Sequence, residues 1–336
     1  MRLITQRKLA GILRREAERR GAGFLPFAPS EIYIDPCNAC DLRCTFCPQS
    51  NWGGRRRGLM SRELFELAIE QAVELRPQRV NLFCYGESLL HKDIAEMVRH
   101  AAGRGLWVRI HTNARSLDAD KARRLIESGL SEIRFSFDTP DRELYNRLRV
   151  GGDFDAVLAN IRGFIRIKQE LGAVLPRVYL QEMIPFEAGK KARNSEAYRR
   201  LFEGCDVIFS ARYMHNFAGA SQEAGFAGLQ AVGESPCREI YRRLVVTFDG
   251  KIHACCLDAE GHNIIGDLSR GDTIASAWNG GAMRDLRRRT SAHKLEGLDP
   301  CQRCDELRRN RRPVKLSRRL VGGLAWYAVK PFIKRD

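Results

Sequence analysis

Between Glu31 and Tyr213 the chain repeats one pattern six times: a short β-rich run, then a stretch with helical character. The strand-like runs are Glu31–Asp35, Arg79–Cys84, Trp107–Thr112, Glu132–Phe137, Arg177–Met183 and Val207–Tyr213. Helices are expected at about Ser61–Leu75 and Lys92–Gly103, from Asp118, in stretches up to about Gln169, and between the fifth and sixth strands. Strands separated by helices pair in parallel through right-handed crossovers. Six such units predict an α/β fold, an open, partial (β/α)6 TIM-like barrel. In that architecture the reactive groups collect on the loops after the C-terminal ends of the strands.

At 336 residues the chain can bury one large core and carry a smaller appendage. The expected division is a basic helical extension at 1–29, the barrel at 30–220, a cysteine-bearing unit at 221–310 and a basic amphipathic tail at 311–336. The net charge of +16 sits mainly at the two ends. Residues 1–29 carry seven Lys/Arg against two acids, and residues 305–336 carry ten against three. The C-terminal stretch Lys315–Arg335 mixes cations with Trp326 and Tyr327, a composition suited to peripheral contact with an anionic membrane. No cleavable signal pattern or spanning run is present, and the eleven cysteines cluster, so a cytoplasmic chain with metal-binding cysteines is expected.

The tightest cluster is Cys40-Asp-Leu-Arg-Cys44-Thr-Phe-Cys47, directly after the first strand. Three thiolates at this spacing can hold three corners of a cubane cluster and leave the fourth iron open to a small molecule. A structural zinc site would want a fourth ligand, for which Cys37 is the nearby candidate. The C-x3-C-x2-C run, with Phe46 before its last cysteine, resembles the cluster loop of the radical S-adenosylmethionine (SAM) superfamily.

That resemblance extends to the later strand ends. Tyr85-Gly86-Glu87 is similar to the family's Gly-Gly-Glu motif, with Tyr85 replacing the first glycine, and implies a contact to the methionyl amino group. Ser136 and Asp138 resemble its ribose and carboxylate contact. Arg149 would serve the SAM carboxylate, with Arg147 as competitor, because a guanidinium pairs bidentately and keeps its charge when buried. Thr112-Asn113 resembles a Thr-Asn-Gly at that place, with Ala114 for glycine.

A second cysteine set follows: Cys237-x12-Gly250-x4-Cys255, then Cys301-x2-Cys304. It resembles the first half of the SPASM signature, the shortened, twitch-like version, and implies a second, auxiliary [4Fe–4S] cluster on these four cysteines. Leu244–Phe248 and Lys251–Cys255 read as a hairpin about Asp249-Gly250, and a helix is expected over Thr273–Arg289. A four-cysteine zinc ribbon is the plain alternative. Among the other cysteines, Cys256 is singled out as a thiol that would donate hydrogen to a substrate radical if it faces the active site.

The resemblance implies reductive cleavage of SAM to a 5′-deoxyadenosyl radical and hydrogen abstraction from a substrate carbon. The expected outcome is net oxidation of a sugar- or aminocyclitol-like molecule or a peptide, with the auxiliary cluster accepting the electron. An electron donor such as a flavodoxin or ferredoxin is implied. Glu182, Tyr213 and His215, at late strand ends, are candidates to contact substrate or accept a proton. Epimerisation, quenched by a thiol, is the nearest rival. The rival from another class is a zinc protein binding nucleic acid through Arg55-Arg56-Arg57 and the basic ends; no recognised nucleic-acid module supports it, so nucleic acid is not expected as a partner.

Overall fold

The computed structural model describes residues 6–51, 56–184, 196–221 and 237–307. Helix α1 (Gln6–Arg20) precedes β1 (Glu31–Ile34), α2 (Arg62–Leu75), β2 (Arg79–Asn81), α3 (Ile94–Gly103) and β3 (Val108–Thr112). Then come α4 (Ala119–Glu127), β4 (Glu132–Ser136), α5 (Arg142–Leu148), α6 (Phe154–Glu170), β5 (Arg177–Ile184), α7 (Glu196–Arg200) and β6 (Ile208–Tyr213). β1 to β6 pair in parallel in chain order, which is the partial β/α barrel read from the alternation.

The helices start where the sequence offers a cap. Ser61 Oγ accepts the Leu64 N–H at 3.2 Å, and Phe65, Ala68, Ile69 and Ala72 put one buried stripe of α2 on the sheet. Asp118, Asp141 and Asp153 cap α4, α5 and α6 in the same way, at 2.7, 2.9 and 2.7 Å. Under these helices lies one apolar layer that includes Ile32, Ile34, Val80, Ile110, Phe135, Phe164 and Leu180. Each such side chain stabilises the fold by about 1.5–3 kcal/mol relative to exposure.

β2 is shorter than its apolar run. The Ser88 hydroxyl donates to the Leu82 carbonyl at 2.7 Å, so the chain turns out of the ladder before Cys84. That early exit carries Tyr85, Gly86 and Glu87 over the mouth of the barrel.

Past β6, β7 (Arg243–Val246), β8 (Lys251–His253) and β9 (Ile264–Asp267) extend the same sheet. β7 pairs in parallel with β1, Glu31 opposite Arg243 through Ile34 opposite Val246, and β8 and β9 follow antiparallel. The hairpin turns at Gly250, whose φ of +86° favours glycine and whose N–H reaches the Thr247 carbonyl at 2.9 Å. One helix was expected over Thr273–Arg289; there are two, α8 (Ile274–Trp278) and α9 (Gly281–Ser291). Asn279 breaks them because its side chain is used elsewhere: it accepts from the Leu25 N–H at 2.9 Å and donates to the Leu25 carbonyl at 2.8 Å.

The segment after α1 is held along this break. Trp278 Nε1 donates to the Phe27 carbonyl at 2.8 Å, and Arg287, fully buried, donates to the carbonyls of Gly23 at 2.9 Å and Ile240 at 3.1 Å. The Arg287 guanidinium lies 4.3 Å from the Trp278 ring centre. The tail at 311–336 and Arg55 of the arginine run lie outside the described residues. Among the described residues no helix is long and apolar enough to cross a membrane.

Candidate active site

The cysteine loop leaves β1 and is stitched to the end of α5. The Arg43 N–H donates to the Val150 carbonyl at 2.8 Å and the Thr45 N–H to the Leu148 carbonyl at 3.0 Å. Cys40, Cys44 and Cys47 thereby share one wall of a chamber of about 300 Å³ at the C-terminal ends of the strands. Burial pushes the Cys40 thiol up to about 12 and Cys47 up to about 11. In the chain alone these thiols are protonated, so loading metal must release protons. Cys37 is buried apart from that wall, its Sγ 3.5 Å from the Ala39 carbonyl.

Tyr85-Gly86-Glu87 packs directly on this loop. A Cβ on Gly86 would lie 2.1 Å from the Cys37 carbonyl and 2.5 Å from that of Ala39, so only glycine allows the approach. The Glu87 N–H donates to the Ala39 carbonyl at 2.8 Å. Its carboxylate accepts from the N–H groups of Leu89 at 3.0 Å and Asn113 at 2.8 Å. Burial nevertheless lifts the Glu87 carboxyl to about 7, a charge poised for a buried cation. Tyr85 turns its hydroxyl away from the cysteine loop, to the carbonyls of Cys255 at 3.2 Å and Asp258 at 3.0 Å.

A cation also adjoins the cysteine loop. Arg149 Nε donates to Asp138 Oδ2 at 2.5 Å, Nη1 stands 3.6 Å from Cys44 Sγ, and the guanidinium lies 5.2 Å from the Phe46 ring centre. Burial works against that charge, but Asp138 and Cys44 hold it. Asn113 Nδ2 points at Cys40 Sγ, 3.8 Å away. Phe46, Ser136, His215 and Cys256 also line the chamber, whereas Asp138, Glu182 and Tyr213 do not. Asp138 stands behind Arg149. On β5 the residues facing the chamber are Gln181 and Met183; Glu182, between them, is buried on the opposite face, within electrostatic reach of Tyr198.

Several lining residues carry no motif. Gln49 Nε2 donates to the carbonyls of Asn38 at 2.6 Å and Tyr85 at 3.1 Å, joining the two motif loops. Arg243 donates to Tyr33 Oη at 2.8 Å, pairs with Glu239 at 2.9 Å and lies 3.6 Å from Cys256 Sγ. Strand alternation alone points to Gln181, Met183 and His111; Arg243 becomes visible only once β7 is known to sit beside β1.

Cys237, Cys255, Cys301 and Cys304 converge on a second, apolar pocket with Ile240, Leu286 and Leu307. Four thiols in a buried pocket suit an iron–sulfur cluster, with Glu239, Asp258 and Glu306 also on its lining. Among the described residues no group of His, Cys, Asp or Glu is drawn close enough to hold a single metal ion. Leu257, Glu239 and Glu306 line this pocket and the main chamber alike, so one layer of residues separates them.

Two family models match the chain: the radical SAM superfamily over residues 34–175 and the iron–sulfur cluster-binding SPASM domain over 237–305. A probable GTP 3′,8-cyclase of Methanococcus maripaludis is 21% identical over 250 residues, 65% of this chain and 82% of that one. The solved structure of BtrN with AdoMet and 2-DOIA superimposes with a TM-score of 0.59 at 17% identity, covering 84% of this chain and 94% of BtrN. Streptococcus suis SuiB bound to S-adenosylmethionine gives 0.58 at 17%, covering 94% and 84%. These matches set aside the non-catalytic zinc protein. The chain belongs to the radical SAM superfamily, as an oxidoreductase-type enzyme with a C-terminal SPASM auxiliary iron–sulfur domain.

Proposed function

We propose that Cys40, Cys44 and Cys47 hold a [4Fe–4S] cluster, that Cys237, Cys255, Cys301 and Cys304 hold a second, and that the enzyme oxidises a small polyol, aminocyclitol or sugar-like molecule, or a peptide side chain, by two electrons. Bound together, the first cluster and SAM supply a 5′-deoxyadenosyl radical that takes hydrogen from carbon. Glu87 receives the SAM ammonium, Arg149 its carboxylate, and Asn113 and Ser136 flank the remainder. Phe46 and Phe83 keep water from the reacting carbon. The observation that supports the reading is that Leu257, Glu239 and Glu306 line both the chamber and the pocket of the second cysteine set. A chamber of about 300 Å³ favours a small molecule or a single side chain.

Epimerisation is the second reading, because Cys256 lines the chamber and could return hydrogen to the radical. A flavodoxin or ferredoxin is the proposed reductant, in the cytoplasm, with the C-terminal tail touching anionic membrane.

Anaerobically reconstituted protein should hold about eight iron and eight sulfide, falling to about four of each in the Cys40/Cys44/Cys47→Ala variant. Reduced with dithionite, it should release 5′-deoxyadenosine from SAM. Fully loaded protein that releases none would overturn the reading. With a substrate found, product formed in D2O without carbon-bound deuterium means oxidation. Deuterium uptake that disappears in Cys256→Ala means epimerisation.

A further inference from the structure

Three polar groups line the chamber floor: His111 and Gln181 each bury a polar atom without a partner among the described residues, and Arg212 is exposed. His111 Nε2, on β3, is buried without a hydrogen bond, its ring stacked on Phe83 with centres 3.9 Å apart. Gln181, on β5, is 6% exposed; among the described residues its Oε1 has no partner, and its Nε2 reaches only the Met183 sulfur, at 3.7 Å. Arg212, on β6, forms no ion pair among the described residues. Every other guanidinium nearby is matched: Arg149 by Asp138, Arg243 by Glu239 and Arg134 by Glu132. Of the lining carboxylates, Glu87 is committed to the SAM ammonium in the reading above, Glu239 to Arg243, and Glu306 already has a partner.

We propose that His111, Gln181 and Arg212 form a subsite for an acidic group of the substrate, a carboxylate or a phosphate. The proposal rests on the reading of this chamber as the place of SAM and substrate. A guanidinium fork matches either oxyanion bidentately. Burial, then the charges of Arg134 and Arg212, hold His111 well below the ordinary histidine range, so it stays neutral and can donate one N–H. The Gln181 amide can turn its NH2 to the same point. Arg212 also lies within electrostatic reach of Tyr33 across the chamber, so its charge acts on the floor. The acidic group would anchor one end of the substrate at β3, β5 and β6. An acidic sugar, a phosphorylated polyol or an acidic peptide side chain fits this floor; an uncharged or purely cationic molecule leaves the Arg212 charge unmatched.

The test uses full-length, anaerobically reconstituted, SAM-loaded protein with sodium acetate, inorganic phosphate, neutral acetamide, or sodium chloride at matched ionic strength. Acetate or phosphate should raise the melting midpoint by about 2 °C when several-fold above its dissociation constant. Acetamide and chloride should not. Arg212→Gln and Gln181→Leu should each abolish the rise, while SAM binding by equilibrium dialysis stays within about twofold of wild type. Which anion acts tells a carboxylate from a phosphate. A rise no larger than that of chloride, or one that persists in Arg212→Gln, overturns the subsite. Loss of SAM binding in Arg212→Gln also overturns it, by assigning the arginine to the cofactor. Wild-type protein that binds no SAM would instead refute the function above, and the anion comparison on SAM-free protein would still decide the subsite.

Discussion

The hydroxyl of Tyr85 lies 3.2 Å from the carbonyl of Cys255, so a residue of the SAM-side motif braces the backbone of an auxiliary-site cysteine. Tyr85→Phe removes that bond together with those to Asp258 and His253. The auxiliary cluster of the reconstituted variant should shift in reduction potential, followed by electron paramagnetic resonance during redox titration. SAM affinity should change less than about threefold, since the Tyr85 hydroxyl bonds to the Cys255 and Asp258 carbonyls and a lost neutral hydrogen bond is worth about 1 kcal/mol. An unchanged auxiliary potential would show that the bridge is only packing.

Glu87 sets a pH dependence. Its carboxyl is lifted to about 7 from 4.5, chiefly by burial, so between these values the folded chain keeps a proton the unfolded chain has lost. Without SAM, its contribution to stability therefore falls as pH rises from about 4.5 through about 7 and is level beyond. SAM affinity should run the other way. The carboxylate must be ionised to receive the ammonium, which predicts about tenfold tighter binding at pH 8 than at pH 6. Glu87→Gln should bind weakly and lose this component of the slope. Isothermal titration at three pH values checks both.

Gly86→Ala places a methyl group 2.1 Å from the Cys37 carbonyl, a contact no side chain can relieve by rotating. The cysteine loop must shift. Reconstituted protein should retain about half the wild-type iron, at the auxiliary cysteines, and release no 5′-deoxyadenosine. Wild-type iron with wild-type turnover would contradict the close packing.

Arg287→Met should destabilise the C-terminal unit by ~2–4 kcal/mol, because it strands the carbonyls of Gly23 and Ile240 while largely keeping the apolar volume. Limited proteolysis should then cut the segment between Arg20 and Glu31 faster than in wild-type protein.

The barrel was legible because each unit writes its own local pattern: an Asp or Ser cap, a helical apolar stripe, and a short β-rich run. The C-x3-C-x2-C and C-x2-C spacings were legible for the same reason. What escaped depends on partners far along the chain. Glu31 and Arg243 are aligned by a parallel pairing that no turn announces, so Arg243 could not be placed beside Cys256. Asn279 looks like one more helical residue until Leu25 takes its side chain. On β5, choosing charge over parity singled out Glu182, whereas alternation put Gln181 and Met183 on the chamber side. Tyr85 stands where the motif has glycine, and no local pattern announces that its hydroxyl links to the other cysteine set.

The bonds between Leu25 and Asn279 also set an order of events during synthesis. They join residues 254 positions apart in the chain. At ordinary ribosomal rates the first residue waits roughly 10–50 s for the second. Through much of that interval the barrel can assemble while the edge of β1, where β7 will pair, stays uncovered. A nascent chain of this protein therefore displays an open sheet edge until β7 (Arg243–Val246) has emerged, and that edge is where a chaperone would be expected to hold it.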